Sequence, residues 1–164
     1  MTYRVVAVCA GNICRSPIAE AVLRRAFDEA GLDVTVSSAG TGGWHAGDPA
    51  DPRAMRVLNA HGYELDHRAR QFDPRWFDDV DLVLALDAEN LADLRRLAQR
   101  HGLEHAHVRA LRSFDPALAG LPEMSAELDV PDPYYGDDDG FESVLNTIEA
   151  ATPGVVDYAR IDGF

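Results

Sequence analysis

The stretch Val5-Val6-Ala7-Val8-Cys9-Ala10-Gly11-Asn12-Ile13-Cys14-Arg15-Ser16-Pro17 runs from apolar residues to a thiol, through Gly and Asn to an arginine, and on to Ser-Pro. The apolar run from Arg4 to Val8 predicts a strand buried on both faces. Ser16 and Pro17 predict a helix start, with Ser as N-cap and Pro in the first turn. Loop amides and the helix N-terminus then converge on one point, which makes an anion site. A cysteine at the base of such a site is stabilised as thiolate. The Arg15 guanidinium adds planar donors that match two oxygens of a phosphoryl group. The arrangement suits phosphoryl transfer to sulfur. A free thiol is more often a buried structural residue, but the strand before, the Gly-Asn within and the Ser-Pro after together supply a phosphate cradle.

Outward from this segment, strands and helices alternate. Ile18, Ala19, Val22, Leu23, Ala26, Phe27 and Ala30 mark one face of a helix that Gly31 ends. Val34 to Ser38 reads as a second strand, followed by a Gly-rich loop carrying Trp44 and His45. Asp51 and Pro52 read as the cap and first residue of a helix that stops at Gly62. A helical turn around Trp76 and Phe77 precedes a buried strand from Leu82 to Leu86. Asp87 caps a helix bearing Leu91, Leu94, Leu97 and Ala98, and Val108 to Leu111 is the fourth strand. A Pro-rich loop from Ser113 to Asp139 leads into a last helix with Asp139 as its cap, which Thr152-Pro153-Gly154 interrupts. The alternation predicts a single α/β domain over residues 1–164, a three-layer sandwich with a four-stranded parallel sheet, helices on both faces and the phosphate-binding loop after strand 1. In such folds the ligand crevice lies outside the carboxyl ends of the strands. Cys9, Trp44, Asp87 and Asp132 each follow a strand and therefore share that edge.

The chain has 164 residues, enough for one sizeable core. Its formal net charge of −13 argues against nucleic acid and anionic membrane as partners. The basic residues are all Arg, a bias with no functional reading. Cys9 and Cys14 are the only cysteines, and both fall in the candidate site, which fits a reducing cytoplasm rather than a disulfide framework. No apolar stretch has the length of a membrane span and Met1-Thr2-Tyr3 leads directly into the first strand, so a cytoplasmic protein is expected. Scattered His and no thiol outside the loop argue against a metal site, and no cofactor is expected.

The segment Cys9 to Pro17 reads C-x-G-N-I-C-R-S-P and resembles the phosphate-binding loop of the low-molecular-weight protein tyrosine phosphatases, bacterial type. Asp132-Pro133-Tyr134-Tyr135-Gly136 resembles that family's general-acid loop. Ser37-Ser38-Ala39-Gly40-Thr41, Asp66-His67-Arg68-Ala69-Arg70 and Leu86-Asp87-Ala88-Glu89-Asn90 are similar to further family positions, in order. The resemblance implies Cys9 as nucleophile, Arg15 with the amides of Ala10, Gly11, Asn12, Ile13, Cys14 and Ser16 as phosphoryl binders, and Asp132 as acid and then base. Position also favours Asp132, which Pro131 and Pro133 flank and stiffen. The resemblance further implies that Asn12, Ser16, Ser38 and His67 hold the loop in shape, and that the last helix is long. Trp44, His45, Tyr134 and Tyr135 are expected at the substrate rim, and Cys14 as a reversible redox partner of Cys9. The implied substrates are tyrosine-phosphorylated proteins, with small aryl phosphates in vitro, for an enzyme expected to be monomeric.

Three rivals use the same loop. A thioredoxin-coupled arsenate reductase needs resolving cysteines downstream, and none follows Cys14. Protein-arginine phosphatases resemble C-x-G-N-T-C-R-S, whereas Ile13 stands at the Thr place here. The third is a catalytically dead phosphotyrosine-binding module; nucleophile, arginine and acid are all present, so a turnover assay decides for or against it.

Overall fold

The computed structural model of the protein describes residues 2–104 and 107–164. Four strands, β1 (Tyr3–Cys9), β2 (Val34–Gly40), β3 (Leu82–Ala85) and β4 (Val108–Ala110), form one sheet in the order β2-β1-β3-β4, with every pairing parallel. Side chains alternate across a strand, so β1 feeds two cores. Val5 and Ala7 pack with α1 (Arg15–Glu29), α2 (Pro52–Ala60) and α4 (Asp138–Gly163), through residues such as Ile18, Phe27, Leu58, Phe141 and Leu145. Val6 and Val8 pack on the other face with α3 (Ala88–Arg100) and the turn at Pro74–Asp78, through Leu91, Leu94, Phe72 and Phe77. Burial on both faces is why β1 is apolar throughout. The expected four-stranded, three-layer α/β architecture is the one observed. Among the described residues no helix is long and apolar enough to cross a membrane.

All four strands point the same way, so Cys9, Gly40, Ala85 and Ala110 end on one edge. Cys9 and Gly40 are register partners, and the carbonyls of Cys9 and Ala10 accept from Thr41 N (2.8 Å) and Gly42 N (3.0 Å). A Cβ at Gly40 would lie 2.6 Å from the Ala10 carbonyl oxygen, so only glycine permits this approach.

Several sequence expectations are corrected. β2 extends two residues past Ser38 to Gly40, while β3 and β4 stop one residue short, at Ala85 and Ala110. Cys14, not Ser16, is the N-cap of α1; Ser16 lies inside the first turn and its hydroxyl is spent on Cys9 and Asn12. Asp137, not Asp139, caps α4 by accepting from Gly140 N at 3.4 Å. Thr152-Pro153-Gly154 does not interrupt α4, which runs unbroken for 26 residues, as the family resemblance implied. An interior proline costs about 3 kcal/mol, but Pro153 sits on the exposed side, and Val155 and Val156 beyond it are buried at about 1.5–3 kcal/mol each. Packing outweighs the lost hydrogen bond. Gly154 is needed there because a Cβ would come within 2.1 Å of the Phe114 carbonyl oxygen.

Candidate active site

The loop from Ala10 to Cys14 turns on Asn12, whose φ of 60° makes it the one non-glycine residue in the left-handed region among those described. Asn is the side chain best suited to that conformation after glycine. Here its side chain is also bonded on every side. Nδ2 donates to Ser16 Oγ (2.8 Å) and Ser38 Oγ (3.0 Å), and Oδ1 accepts from Arg70 N (3.0 Å). His67 Nε2 lies 2.7 Å from the Asn12 carbonyl oxygen. Ser38 in turn donates to Glu20 Oε1 at 2.7 Å, and Glu20 is paired with Arg24 at 2.6 Å. Asn12, Ser38 and His67 thus stand behind the loop rather than in the cleft.

Ser16 joins this frame to the thiol. Its oxygen accepts from Asn12, and its proton serves a Cys9 thiolate at 2.9 Å in preference to the Ala39 carbonyl at 3.4 Å. The sulfur therefore receives a hydroxyl donor from the first turn of α1, at the positive end of that helix. Cys9 is 3 % exposed, at the base of a cleft of about 210 Å³.

Arg15 is buried beneath the cleft rather than spread over the helix surface. Its Nη1 donates to Asp87 Oδ2 (2.7 Å) and to the Val130 carbonyl (2.8 Å). Burial works against its charge, yet the sulfur of Cys9 and the carboxylate of Asp87 outweigh burial and raise its affinity for the proton above the usual value. Arg15 Nη2 lies 3.9 Å from Asp132 Oδ2. Asp132 is more than half exposed, and its Oδ1 accepts from Tyr134 N at 3.1 Å.

The loop that carries Asp132 is anchored at both ends. Before it, Val130 N donates to the Leu86 carbonyl and Asp129 accepts from Ala88 N, each at 2.8 Å. After it, Arg53 donates to the carbonyls of Tyr134 (2.8 Å) and Gly136 (2.9 Å). The same guanidinium is clamped to Asp51, the cap of α2, through two hydrogen bonds of 2.9 and 3.1 Å, and the Arg53 amide adds a third at 2.8 Å. Although burial raises the Asp51 pKa, these bonds outweigh it and hold the carboxyl below its usual value. Cys14, buried above Asp51 with a sulfur–oxygen distance of 3.9 Å, is pushed up to about 12, by burial first and then by Asp51 and Cys9.

All four expected rim residues line the cleft. His45 and Tyr134 lie with ring centroids 6.5 Å apart, and Tyr135 stacks edge-on against Tyr134 at 5.0 Å. Trp44 (72 % exposed) and Tyr135 (95 % exposed) stand at the mouth, so they form a rim more than a deep wall.

The family model for low molecular weight phosphotyrosine protein phosphatase matches residues 4–162. The chain belongs to this family. A low molecular weight protein-tyrosine-phosphatase of Streptomyces coelicolor is 57% identical over 162 residues, covering 98% of this chain and 95% of that protein. Of solved structures, YfkJ from Bacillus subtilis superposes with a TM-score of 0.87 at 34% identity, over 100% of this chain and 98% of that one. The arginine phosphatase YwlE, in a mutant form with a phosphorylated active-site serine, superposes with a TM-score of 0.83 at 26% identity, over 98% and 97%.

Within this family frame, sequence reasoning missed three contacts. Asp87 was legible as the cap of α3, through Oδ1 and Asn90 N at 2.7 Å, but its second oxygen holds Arg15. The signal available was its place at the carboxyl edge of the strand beside β1. Glu20 read as one more helix residue, and the Arg53 clasp had no signal beyond the Asp-Pro-Arg sequence that starts α2.

Proposed function

We propose that the protein hydrolyses phosphotyrosine in proteins by two successive displacements on phosphorus. The observation that carries this reading is one cleft with Cys9 at its base, Arg15 fixed beside it and Asp132 3.9 Å from that guanidinium. In the first displacement the Cys9 sulfur forms a bond to phosphorus as the P–O bond to the phenol breaks. The electron pair leaves on the phenolic oxygen, which takes the proton of Asp132. Arg15 and the loop amides bind the equatorial oxygens, most tightly in the transition state. In the second, Asp132 removes a proton from water as the water oxygen attacks phosphorus, and the S–P bond breaks to return Cys9 and release phosphate. Ser16 donates to the sulfur whenever it carries charge.

Asn12, Ser38 and His67 act as supports that keep the loop amides aimed before substrate arrives. Trp44, His45, Tyr134 and Tyr135 contact the phenyl ring. The chain acts as one domain over residues 1–164, as a cytoplasmic monomer, on tyrosine-phosphorylated proteins and on small aryl phosphates in vitro.

The test is turnover of matched phosphotyrosine, phosphoserine and phosphoarginine peptides by purified protein without added metal. Phosphotyrosine is expected to be preferred over both, because an aryl ester reaches Cys9 with an apolar ring against the aromatic rim, whereas phosphoserine is too short and phosphoarginine brings a polar guanidino group there. Equal turnover of phosphoserine, or faster turnover of phosphoarginine, overturns the tyrosine reading. Cys9→Ser is expected to abolish turnover while oxyanions still bind; residual hydrolysis, with contamination excluded, overturns the covalent route.

A further inference from the structure

Beside the catalytic cleft lies an open groove of about 820 Å³ between α3 and the segment 71–74, and Trp44 lines both. The indole rests on Gly42, where a Cβ would lie 2.2 Å from the ring, and Gln71 closes on Gly43 in the same way, with its Oε1 3.0 Å from a Cβ there. Two glycines therefore leave a low saddle between cleft and groove. Phe72 and Leu94 are buried beneath the groove and Leu97 is half-buried in it, while Thr41, Gln71, Asp73, Asp93, Arg96 and Arg100 give it polar walls.

The charges around this floor nearly cancel. Asp73 is paired with Arg75 at 2.6 Å and Asp93 with Arg96, whereas exposed Arg100 has no ion-pair partner among the described residues. The tail of the acid loop has the opposite balance. Asp137, Asp138 and Asp139 are exposed there, and only Asp138 is paired, with Arg56 at 3.0 Å. In a chain of net charge −13 the groove thus offers an acidic segment the cation Arg100 beside two carboxylates, Asp73 and Asp93, that are already paired.

We propose that this groove is the docking site for the polypeptide that flanks the phosphotyrosine, and that it selects a segment with an apolar side chain over Leu97 followed by an acidic residue at Arg100. The proposal rests on the phosphotyrosine reading of the cleft. Dimensions agree with it. Asp93 to Arg100 spans seven helical residues, about 10 Å at 1.5 Å each, which an extended peptide covers in about three residues. The acidic residue therefore falls about three positions beyond the point where the peptide passes Asp93. Asp137 and Asp139, exposed after the loop that carries Asp132, disfavour the same acid where the peptide passes them.

The experiment compares kcat/KM for a small aryl phosphate and for phosphotyrosine peptides. The peptides carry an apolar-then-acidic extension on one side or the other, with Lys replacing the acid in controls. One of the two acidic peptides is expected to exceed its Lys control by about two- to fivefold, the weight of an exposed ion pair, less in high salt. Arg100→Ala is expected to remove that gain and Arg100→Glu to invert it, with aryl phosphate turnover unchanged in both. In Cys9→Ser protein, amide shifts at Leu97 and Arg100 are expected to move with the preferred peptide and not with phenyl phosphate. No acidic preference, or one that survives both Arg100 variants, overturns the proposal while aryl phosphate and phosphotyrosine turnover stand. Failure of the phosphotyrosine reading appears separately, as equal turnover of phosphoserine peptides.

Discussion

Arg53 and Tyr134 are 81 residues apart, and the guanidinium of one donates to the main-chain carbonyl of the other at 2.8 Å while Asp51 holds it from behind. A carboxylate that must move a proton needs a fixed position, and the Asp132 loop takes its position after the turn from this clasp. Arg53→Ala is expected to lower kcat/KM about tenfold for esters with a basic leaving group, and little for esters whose leaving group needs no proton. In an Asp132→Ala background the same change should add nothing. Equal losses on both ester types, or an additive loss in the double variant, would give Arg53 a general structural role instead.

Asp132→Ala itself is expected to slow phosphotyrosine hydrolysis by roughly 10²–10⁴-fold, the usual weight of a positioned acid. The loss should shrink as the leaving group becomes a weaker base. Asp115 lies in a turn outside the cleft and Asp129 is occupied by Ala88 N, so neither should substitute. A flat dependence on leaving group would place the acid elsewhere.

Asp87 serves α3 and Arg15 with different oxygens, which two variants separate. Asp87→Asn keeps a good N-cap but weakens the charge-assisted bond, so kcat/KM and oxyanion affinity should fall with little loss of stability. Asp87→Ala loses both, at about 0.5–2 kcal/mol for the cap and about 1.5–3 kcal/mol for the bond to a charged group. Denaturant midpoints and phosphate binding measured on the pair check the division.

Mild peroxide is expected to convert Cys9 to its sulfenic acid, which Cys14 then displaces: the S–S bond forms, the S–O bond breaks and water leaves. Only the Cys14 thiolate attacks. Its pKa is pushed up to about 12, chiefly by burial, so its thiolate fraction, and the closure rate at a given sulfenic acid level, should rise about tenfold per unit from pH 7 to pH 9. Thiol reductant should restore activity. Peptide mapping that finds only irreversible acids on Cys9, or closure independent of pH, would remove Cys14 from this role.

Local patterning made the alternation of strands and helices, the caps at Asp51 and Asp87, and the phosphate loop legible, because each depends on residues within one turn of each other. The exceptions show where that reach ends. Ser16 followed by proline satisfies every local rule for an N-cap, yet a thiol seven residues upstream and a buried Asn take its hydroxyl first. Pro153 satisfies the local rule for a break, yet burial beyond it carries α4 through.

What the sequence by itself determined is the chemistry at the loop: a sulfur, an arginine and a ring of amides, held within seven residues after a strand that has to be buried on both faces. What only the tertiary structure decided is how that chemistry is held. Asp87 reaches Arg15 across 72 residues, His67 reaches the Asn12 carbonyl across 55, and Arg53 reaches the acid loop across 81. A polar side chain in the sequence carries no mark of its partner. Which donor meets which acceptor is settled when parallel pairing of β2, β1 and β3 brings their carboxyl ends to one edge and burial removes water as the alternative.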